Sequence, residues 1–313
     1  MLEQLPPPPR GRKGWPWTME SIPLAHQMPN GSDWPRISIV TPSFNQGCYI
    51  EETIRSVLLQ NYPNLEYVII DGGSTDESVE IIRKYEPWLT YWVSEPDRGQ
   101  SQAINKGFQH ARGDIFNWLC SDDVFLQDSL YQVARSIKFC DPFWLIGQSF
   151  LFDEATRKTI KLRTPNNFSI DNLTRWRGFA IHQPAVFWNA RLHELAFSLD
   201  ENLHYCMDID LWLRFYLIAS PEILQEFLSL SRHHKYAKTT GYSGGHEPYL
   251  HELANWKIES LYRSNDARIR KELVACVALL DKDIADWHRI KNHRILGLVI
   301  KMWKTFINPS LPS

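Results

Sequence analysis

The sequence has no Cys-x-x-C pair, and its five cysteines are odd in number and scattered along the chain. A disulfide framework or a structural zinc site needs paired, closely spaced cysteines, so neither is expected. The sequence also lacks an apolar run of 18 residues and an apolar stretch behind its N-terminus. Neither a membrane-spanning helix nor a secretion signal is therefore predicted, and we expect a cytoplasmic protein.

An excess of positive charge is also missing, since 34 basic residues face 36 acidic ones and the formal net charge is -2. Proteins that bind the phosphate backbone of nucleic acids usually carry a basic excess, so no nucleic-acid partner is expected. A hydrophobic fraction of 43% in 313 residues is typical of a globular protein. This length fits one large domain, or one domain with a helical appendage.

Composition divides the chain into three regions. Residues 1–35 contain four consecutive prolines and several glycines, which predict a Pro-rich N-terminal arm. The aromatic and apolar clusters at 15–17 and 22–24 are candidates for pinning this arm to the main body. Residues 36–245 are expected to form the main domain, and 246–313 a C-terminal helical region.

The main domain alternates β-branched segments with amphipathic ones. Strands are predicted at 37–40, 65–70, 91–94 and 114–119. Helices are predicted at 51–60, 77–85, 101–111 and 125–138. This alternation predicts an α/β fold with a mostly parallel sheet flanked by helices. Strands at 143–147 and 149–152 are expected to form a small antiparallel region, and a helix is expected to begin near Asp208.

Pro42 and five polar residues follow the ends of four predicted strands. The polar residues are Asn45, Asp71, Asp97, Asp122 and Asp123. In open α/β sheets the ligand lies outside the carboxyl ends of the strands, so these residues should share one rim. The adjacent carboxylates Asp122 and Asp123 are costly at a buried strand end without a cation, and their oxygens suit Mg²⁺ or Mn²⁺. The alternative is that they only begin the next helix, and that Asp71 only forms a tight turn.

Six segments occur in the order and spacing of a known family. They are Ile39-Val40-Thr41-Pro42-Ser43-Phe44-Asn45, Glu52-Thr53-Ile54-Arg55-Ser56-Val57, Gln60-Asn61-Tyr62-Pro63, Asp71-Gly72-Gly73-Ser74-Thr75-Asp76, Asp97-Arg98-Gly99-Gln100 and Ser121-Asp122-Asp123. Through them, residues 36 to 240 closely resemble the family 2 glycosyltransferases of GT-A fold. The resemblance implies a Rossmann-like GT-A domain and a nucleotide-sugar donor, most commonly a UDP-sugar. It also implies a Mn²⁺ or Mg²⁺ cofactor held by an Asp-x-Asp type motif, and inversion at the anomeric carbon.

The resemblance also implies roles for individual residues. The donor-binding positions are Thr41, Pro42, Phe44, Asn45, Asp71, Asp97, Asn105, Asp123 and Lys238. The metal positions are Asp122, Asp123 and His234, where Asp123 either assists the metal or bonds to the donor. Lys238 would neutralise charge on the leaving nucleotide, although a basic loop of this kind is often only solvated.

Inverting transfer needs a base that removes a proton from the acceptor hydroxyl, and Asp208 matches the Asp of the family's Glu-Asp pair. The alternative for Asp208 and Asp210 is helix capping, with a salt bridge from Asp210 to Arg214. The sequence departs from the family pattern at two places: Cys120 replaces the first Asp of the metal motif, and Met207 replaces the Glu of the pair. A thiol is a poor ligand for Mg²⁺, so no coordination by Cys120 is expected.

The implied partners are a nucleotide-sugar donor and a glycan or lipid-linked acceptor used in polysaccharide or cell-envelope synthesis. The apolar residues and lysines of 295–307 suit a helix on the inner membrane surface, and docking onto the main domain or onto a second subunit of a homodimer is an equal alternative. Two other functions remain open. A sugar nucleotidyltransferase shares the architecture but would carry a Gly-rich basic loop after the first strand, and a non-catalytic sugar-binding protein would not need all three carboxylates.

Overall fold

The computed structural model describes residues 1–164 and 181–238, together with Glu252 and Trp256. Within these residues the strands are β1 Ile37–Ser43, β2 Leu65–Asp71, β3 Tyr91–Ser94, β4 Ile115–Trp118, β5 Val124–Phe125, β6 Trp144–Asp153, β7 Lys158–Leu162, β8 Val186–Asn189 and β9 Glu222–His233. The helices are α1 Gly47–Leu58, α2 Ser78–Tyr85, α3 Gln100–Gln109, α4 Ser129–Ser136, α5 Ala190–Ala196 and α6 Met207–Ile218. The predicted α/β fold is confirmed.

The described strands form a single sheet in the order β3-β2-β1-β4-β8-β6-β9-β5, with β7 paired to β6. The first four strands, β1 to β4, pair in parallel, whereas β8 runs antiparallel to both β4 and β6. The expected antiparallel region therefore continues the main sheet, and within it β6 and β9 are parallel to each other. This long-range pairing brings the end of β9 next to the end of β4.

Two local expectations were wrong. Phe125 was predicted to begin a helix, but it pairs with Ser229 of β9, and the helix α4 begins only at Ser129. Two strands, at 143–147 and 149–152, were expected, but β6 is continuous through Gln148 and has a register shift between Ile146 and Gln148. In both cases pairing with β9, which is distant in sequence, overrides the local pattern.

The central strand β1 is buried on both faces, and alternate side chains enter two different cores. Val40 belongs to the core beneath α3, whereas Ile37 and Ile39 belong to the core beneath α1. Helix α3 approaches closely, because a Cβ at Gly107 would lie 2.3 Å from Val40 Cγ1. The sheet is therefore held rigidly from both sides, which fixes the positions of the loops at its carboxyl edge.

Stacked tryptophans join the sheet to α6. Trp118, at the end of β4, stacks on Trp212 of α6 with ring centroids 5.3 Å apart and an interplanar angle of 10°. Trp144 of β6 also stacks on Trp212, with ring centroids 5.8 Å apart, and all three rings are almost completely buried. Burial of such large rings contributes strongly to stability, and here it also fixes α6 relative to the strand that leads to Asp122.

The N-terminal arm is bound to the main domain through a buried arginine. The guanidinium of Arg55 is 0% exposed and donates hydrogen bonds to the carbonyls of Pro6, Pro16 and Trp17 at 2.8, 3.1 and 2.9 Å. It also donates to the Tyr85 hydroxyl at 3.1 Å. The arm is therefore part of the folded structure, and its own backbone satisfies the buried cation.

Among the described residues, no helix combines the length and the apolar character needed to cross a membrane. The segment 295–307, which was predicted to contact a membrane or a second subunit, lies outside the described residues.

We predict that Arg55→Met lowers the free energy of unfolding by about 3 kcal/mol, because three buried carbonyls lose a charged donor. Chemical denaturation measures this change, and limited proteolysis should then cut within residues 1–35. Arg83→Met, at an exposed site on α2, is the control and should change stability by less than about 0.5 kcal/mol. Equal stability of the two variants would show that the arm does not depend on Arg55.

Candidate active site

The loops after β1 and β2 are joined by hydrogen bonds. Asn45, at a φ of 52°, accepts at Oδ1 from the backbone N–H of Thr75 at 2.9 Å, and its own N–H donates to Ser74 Oγ at 2.7 Å. The N–H of Gly72 donates to the carbonyl of Ser43 at 2.8 Å. Asparagine tolerates this left-handed backbone better than most residues. The first two strand ends therefore form one rim, as the parallel topology predicts.

Asp71 organises this rim from inside. Its side chain is 0% exposed, and it accepts from the N–H groups of Gly73 and Ser74 and from the hydroxyls of Ser74 and Ser94 at 2.6 to 3.2 Å. These four bonds occupy the acceptor sites of a carboxylate. A contact between Asp71 and a donor stays a prediction, and the geometry favours a role in shaping the loop.

The loop after β3 brings Asp97 to the same place. Its Oδ1 accepts from the N–H of Gly99 at 2.8 Å, and its Oδ2 lies so near Gly72 that a Cβ there would be 2.6 Å away. The absence of a side chain at Gly72 therefore allows the Asp97 carboxylate to lie beside the β2 loop. Asp97 is partly exposed, so a ligand can reach it.

The predicted first-loop residues divide into two pairs. Thr41 and Pro42 are buried inside β1, and Thr41 Oγ1 is hydrogen-bonded to the Tyr67 hydroxyl at 3.1 Å. Phe44 is 59% exposed and Asn45 is exposed beside it. Only the second pair is therefore open to a ligand at this rim, and direct donor contacts are better assigned to it.

The acidic turn after β4 meets the end of β9. Asp122 Oδ2 lies 2.9 Å from His234 Nε2, so two of the three predicted metal ligands are already in contact. Asp123 is 8% exposed and accepts from the backbone N–H of Arg232 at 3.0 Å. Burial and the neighbouring charge of Asp122 raise the pKa of Asp123 well above its usual range.

Cys120 contacts the same turn as a neutral thiol. Its Sγ and the carboxylate oxygens of Asp122 and Asp123 lie within 4.8 Å of one another. Burial raises the pKa of Cys120 well above its usual range, and the nearby carboxylates add to this effect. The sulfur accepts from Gln100 Nε2 at 3.1 Å, and the thiol donates to Gln183 Oε1 at 3.6 Å. That Cys120 is not a metal ligand stays a prediction.

Arg232, for which the sequence predicted no role, stabilises the acidic turn Cys120–Asp123. The guanidinium of Arg232 is 9% exposed, and its Nε donates to the carbonyl of Asp122 at 3.1 Å. It also pairs with Glu52 at 3.2 Å and Glu154 at 3.8 Å, and it lies over the ring of Tyr49 at 5.2 Å. The only indication of this role in the sequence is that Arg232 lies two residues before His234. Its partners come from distant elements and could not be read from the local sequence.

Asp208 lies in the first turn of α6, close to the acidic turn. Helix α3 contacts both places. Ser101 Oγ donates to Met207 Sδ at 2.8 Å, and its neighbour Gln100 donates to Cys120 Sγ. Partial burial raises the pKa of Asp208 to about 6, and this effect outweighs its own hydrogen bond to the N–H of Ile209. A carboxylate with this pKa is ionised at neutral pH and is a stronger base than an exposed one.

Lys238 lies among the same carboxylates. Its Nζ donates to the carbonyl of His204 at 3.3 Å. Burial lowers the pKa of Lys238, while the nearby Glu252, Asp208 and Asp97 act in the opposite direction. The lysine is therefore close to both the base position and the rim, as its predicted role requires.

Asn105 is the predicted donor-binding residue that the geometry does not support. Its Nδ2 donates to the carbonyl of Leu199 at 2.9 Å, and its Oδ1 accepts from the N–H of the same residue at 2.8 Å. Both ends of the amide thus hold the backbone that follows α5. The side chain links α3 to this loop and serves the structure.

The predicted salt bridge within α6 is present, since Asp210 and Arg214 lie 3.0 Å apart. Asp210 therefore has the structural role expected of it, whereas Asp208 makes no salt bridge in the described part of the chain. This difference separates the two acidic residues of the helix.

Residues 38–197, just over half of the chain, match the model of glycosyl transferase family 2. The chain belongs to this family. It is 30% identical over 192 residues to an uncharacterised glycosyltransferase of Mycobacterium tuberculosis. The aligned region covers 60% of this chain and 71% of that protein. The chain is therefore a glycosyltransferase.

Solved structures share the fold. Residues 1–349 of TarS from S. aureus, in complex with UDP-GlcNAc, give a TM-score of 0.62 at 16% identity and cover 88% of this chain and 82% of that one. The mannosyltransferase PcManGT from Pyrobaculum calidifontis, in complex with GDP-Man and Mn²⁺, gives 0.55 at 18% identity and covers 79% and 70%. These similarities confirm the GT-A architecture.

We predict that Asp71→Asn lowers the free energy of unfolding by about 2 kcal/mol, because an amide cannot accept all four hydrogen bonds. Urea denaturation measures the effect, and Asp141→Asn at an exposed position is the control. Unchanged stability together with weaker nucleotide binding would instead assign Asp71 to the donor.

Proposed function

We propose that this family 2 glycosyltransferase is metal-dependent and inverting. It transfers a sugar from a nucleotide-sugar, in the first instance a UDP-sugar, to a hydroxyl of a glycan or lipid-linked acceptor in polysaccharide or cell-envelope synthesis. The observation that carries this proposal is that Asp122 and Asp208, 86 positions apart in sequence, both lie close enough to Cys120 for their charges to raise its pKa. Such an arrangement offers a place for a diphosphate and a base for the acceptor.

The residues of the acidic turn fit a divalent cation. Asp122 provides a carboxylate and His234 an imidazole nitrogen, and the buried carboxylate of Asp123 lies beside them. A mixed oxygen and nitrogen set suits Mn²⁺ better than Mg²⁺, which prefers oxygen ligands. A bound divalent ion supplies positive charge that offsets the charge of the departing diphosphate. The complex of PcManGT with GDP-Man and Mn²⁺ supports this assignment.

Asp208 is the proposed base. In an inverting transfer the acceptor oxygen attacks the anomeric carbon on the face opposite the leaving nucleoside diphosphate, and the acceptor proton moves to a carboxylate. Asp208 suits this step because its carboxylate has a raised pKa and accepts a hydrogen bond from the backbone N–H of the next residue, Ile209. Lys238, close to the same carboxylate, is placed to counter negative charge on the leaving group.

The donor nucleoside is assigned to the exposed part of the rim. Phe44 offers an exposed aromatic face for a base, and Asn45 and Asp97 offer polar groups beside it. Asp71 holds these loops in place from below. The preference for uridine comes from the family resemblance, and the complex of TarS with UDP-GlcNAc agrees with it.

We predict that Asp208→Asn reduces transfer by at least about 100-fold, because the amide cannot accept the proton. Affinity for UDP should stay within about twofold, because a base that acts on the acceptor proton in the transition state does not contribute to ground-state binding of UDP. Steady-state release of nucleoside diphosphate and calorimetric titration of UDP measure the two quantities. For the unsubstituted enzyme the rate should fall as the pH drops through about 6, where Asp208 becomes protonated.

Glu194→Gln, an exposed carboxylate on α5, is the control for that substitution and should transfer at the normal rate. Full activity of Asp208→Asn would exclude Asp208 as the base.

We predict that Asp122→Asn weakens binding of Mn²⁺ to the UDP complex by tenfold or more, since a charged ligand becomes neutral (about 1.4 kcal/mol per factor of ten). Titration calorimetry, or electron paramagnetic resonance of free Mn²⁺, measures the affinity. Cys120→Ala is the matched control from the same turn and should keep the affinity. An equal loss in both variants would show that the thiol takes part in coordination.

A further inference from the structure

Glu252 binds the backbone that leads into α6. Its carboxylate accepts from the N–H groups of His204, Tyr205 and Cys206 at 2.9, 2.6 and 2.7 Å. These three residues directly precede Met207, where the helix begins. A carboxylate that accepts three successive backbone N–H groups makes strong, charge-assisted bonds, so this segment is held in a single conformation.

The Glu252 carboxylate lies next to the start of α6, where the N-cap residue provides no side-chain cap. Cys206 is the N-cap residue, and its side chain makes no capping hydrogen bond. The N-terminal end of a helix carries unsatisfied N–H groups and a partial positive charge, which an acidic group stabilises. Asp208 and Asp210 lie in the first turn itself, and Glu252, 46 positions beyond Cys206, adds a carboxylate that binds the N–H groups just before the helix.

A second contact joins the same two parts of the molecule. Trp256 Nε1 donates to Asp210 Oδ1 at 2.9 Å, and the indole ring is 4% exposed in the core that contains Met207 and Trp212. Glu252 and Trp256 both lie in helical backbone, and they contact the two sides of the first turn of α6. The backbone is therefore held on both sides of Asp208, at Cys206 by Glu252 and at Asp210 by Trp256.

We propose that Glu252 is a positioning residue for Asp208. By fixing residues 204–206 it sets where the first turn of α6 begins, and hence where the Asp208 carboxylate lies relative to the acidic turn. The inference rests on the proposed function, because it assumes that Asp208 is the base. Glu252 lies well beyond residues 38–197, which match the family model, so part of the site comes from the region that follows it.

The position of Met207 agrees with this division of roles. Its side chain is 7% exposed and accepts a hydrogen bond from Ser101, so it holds the helix against α3 and carries no charge. Glu252 thus supplies the acidic group next to the Asp208 turn, and the chain can have an apolar residue at 207.

The charged groups that face Asp208 allow a test of position as well as stability. They are the carboxylate of Glu252 and the ammonium of Lys238, and the neutral thiol of Cys120 lies near them. The Glu252 charge disfavours ionisation of Asp208, so its removal lowers the pKa of Asp208. A role for Glu252 that is confined to stability would lower the free energy of unfolding and leave kcat of the folded enzyme unchanged, whereas a positioning role lowers kcat.

The experiment compares Glu252→Gln and Glu252→Ala in the full-length enzyme at saturating Mn²⁺ and UDP-sugar. The expected result is that kcat falls by about tenfold in Glu252→Gln and further in Glu252→Ala, because a small displacement of a catalytic group is costly. UDP affinity should stay within about twofold, which also shows that the variants are folded. The acidic limb of the kcat/KM profile should move to lower pH.

Glu222→Gln removes a carboxylate at the opposite end of β9 from Arg232, where it pairs with Lys138, and is the control. Unchanged kcat and an unmoved acidic limb in Glu252→Gln, with Asp208→Asn inactive, would overturn this inference alone. Full activity of Asp208→Asn would overturn the base assignment and this inference with it.

Discussion

The contact between the end of β4 and the end of β9 is the constraint on which the site depends. Two adjacent carboxylates, Asp122 and Asp123, emerge from a buried strand, where isolated charges would be strongly unfavourable. At the end of β9 the backbone N–H of Arg232 donates to the Asp123 carboxylate and its guanidinium donates to the Asp122 carbonyl. The imidazole of His234, the next residue after β9, contacts the Asp122 carboxylate. The acidic turn is therefore held in position before any ligand binds, which reduces the ordering needed in the reaction.

The same contact explains the mixed topology of the sheet. A fully parallel sheet built from β1 to β4 would end at β4 and leave the acidic turn without a neighbour on that side. The antiparallel β8 and the parallel pair β6 and β9 extend the sheet and return the chain to the carboxyl end of β4. The tryptophan stack from Trp144 through Trp212 to Trp118 then fixes α6, and Asp208 with it, over this edge.

The sequence was sufficient for features that depend on local periodicity. The strand Tyr91–Ser94 was predicted with its observed bounds, and the rim of Asn45, Asp71 and Asp97 follows from parallel topology alone. The partners of Arg55, Arg232 and Glu252 could not be predicted, because these charged side chains bind groups 30 or more positions away. Asn105 shows the limit of transferring roles from a family, since its amide is used to hold Leu199.

The charges of the site agree with the proposed cation. Carboxylates from Asp97, Asp122, Asp123, Asp208 and Glu252 lie near Cys120 or Lys238, and the described cations close to them are Lys238 and the guanidinium of Arg232. Arg232 is already paired with Glu52 and Glu154, so its charge is largely compensated within the protein. A nucleoside diphosphate would therefore enter a negative environment, in which repulsion opposes binding. A divalent ion, which Asp122 and His234 would hold, would supply positive charge that offsets this repulsion, which is why we expect donor binding and metal binding to be mutually dependent.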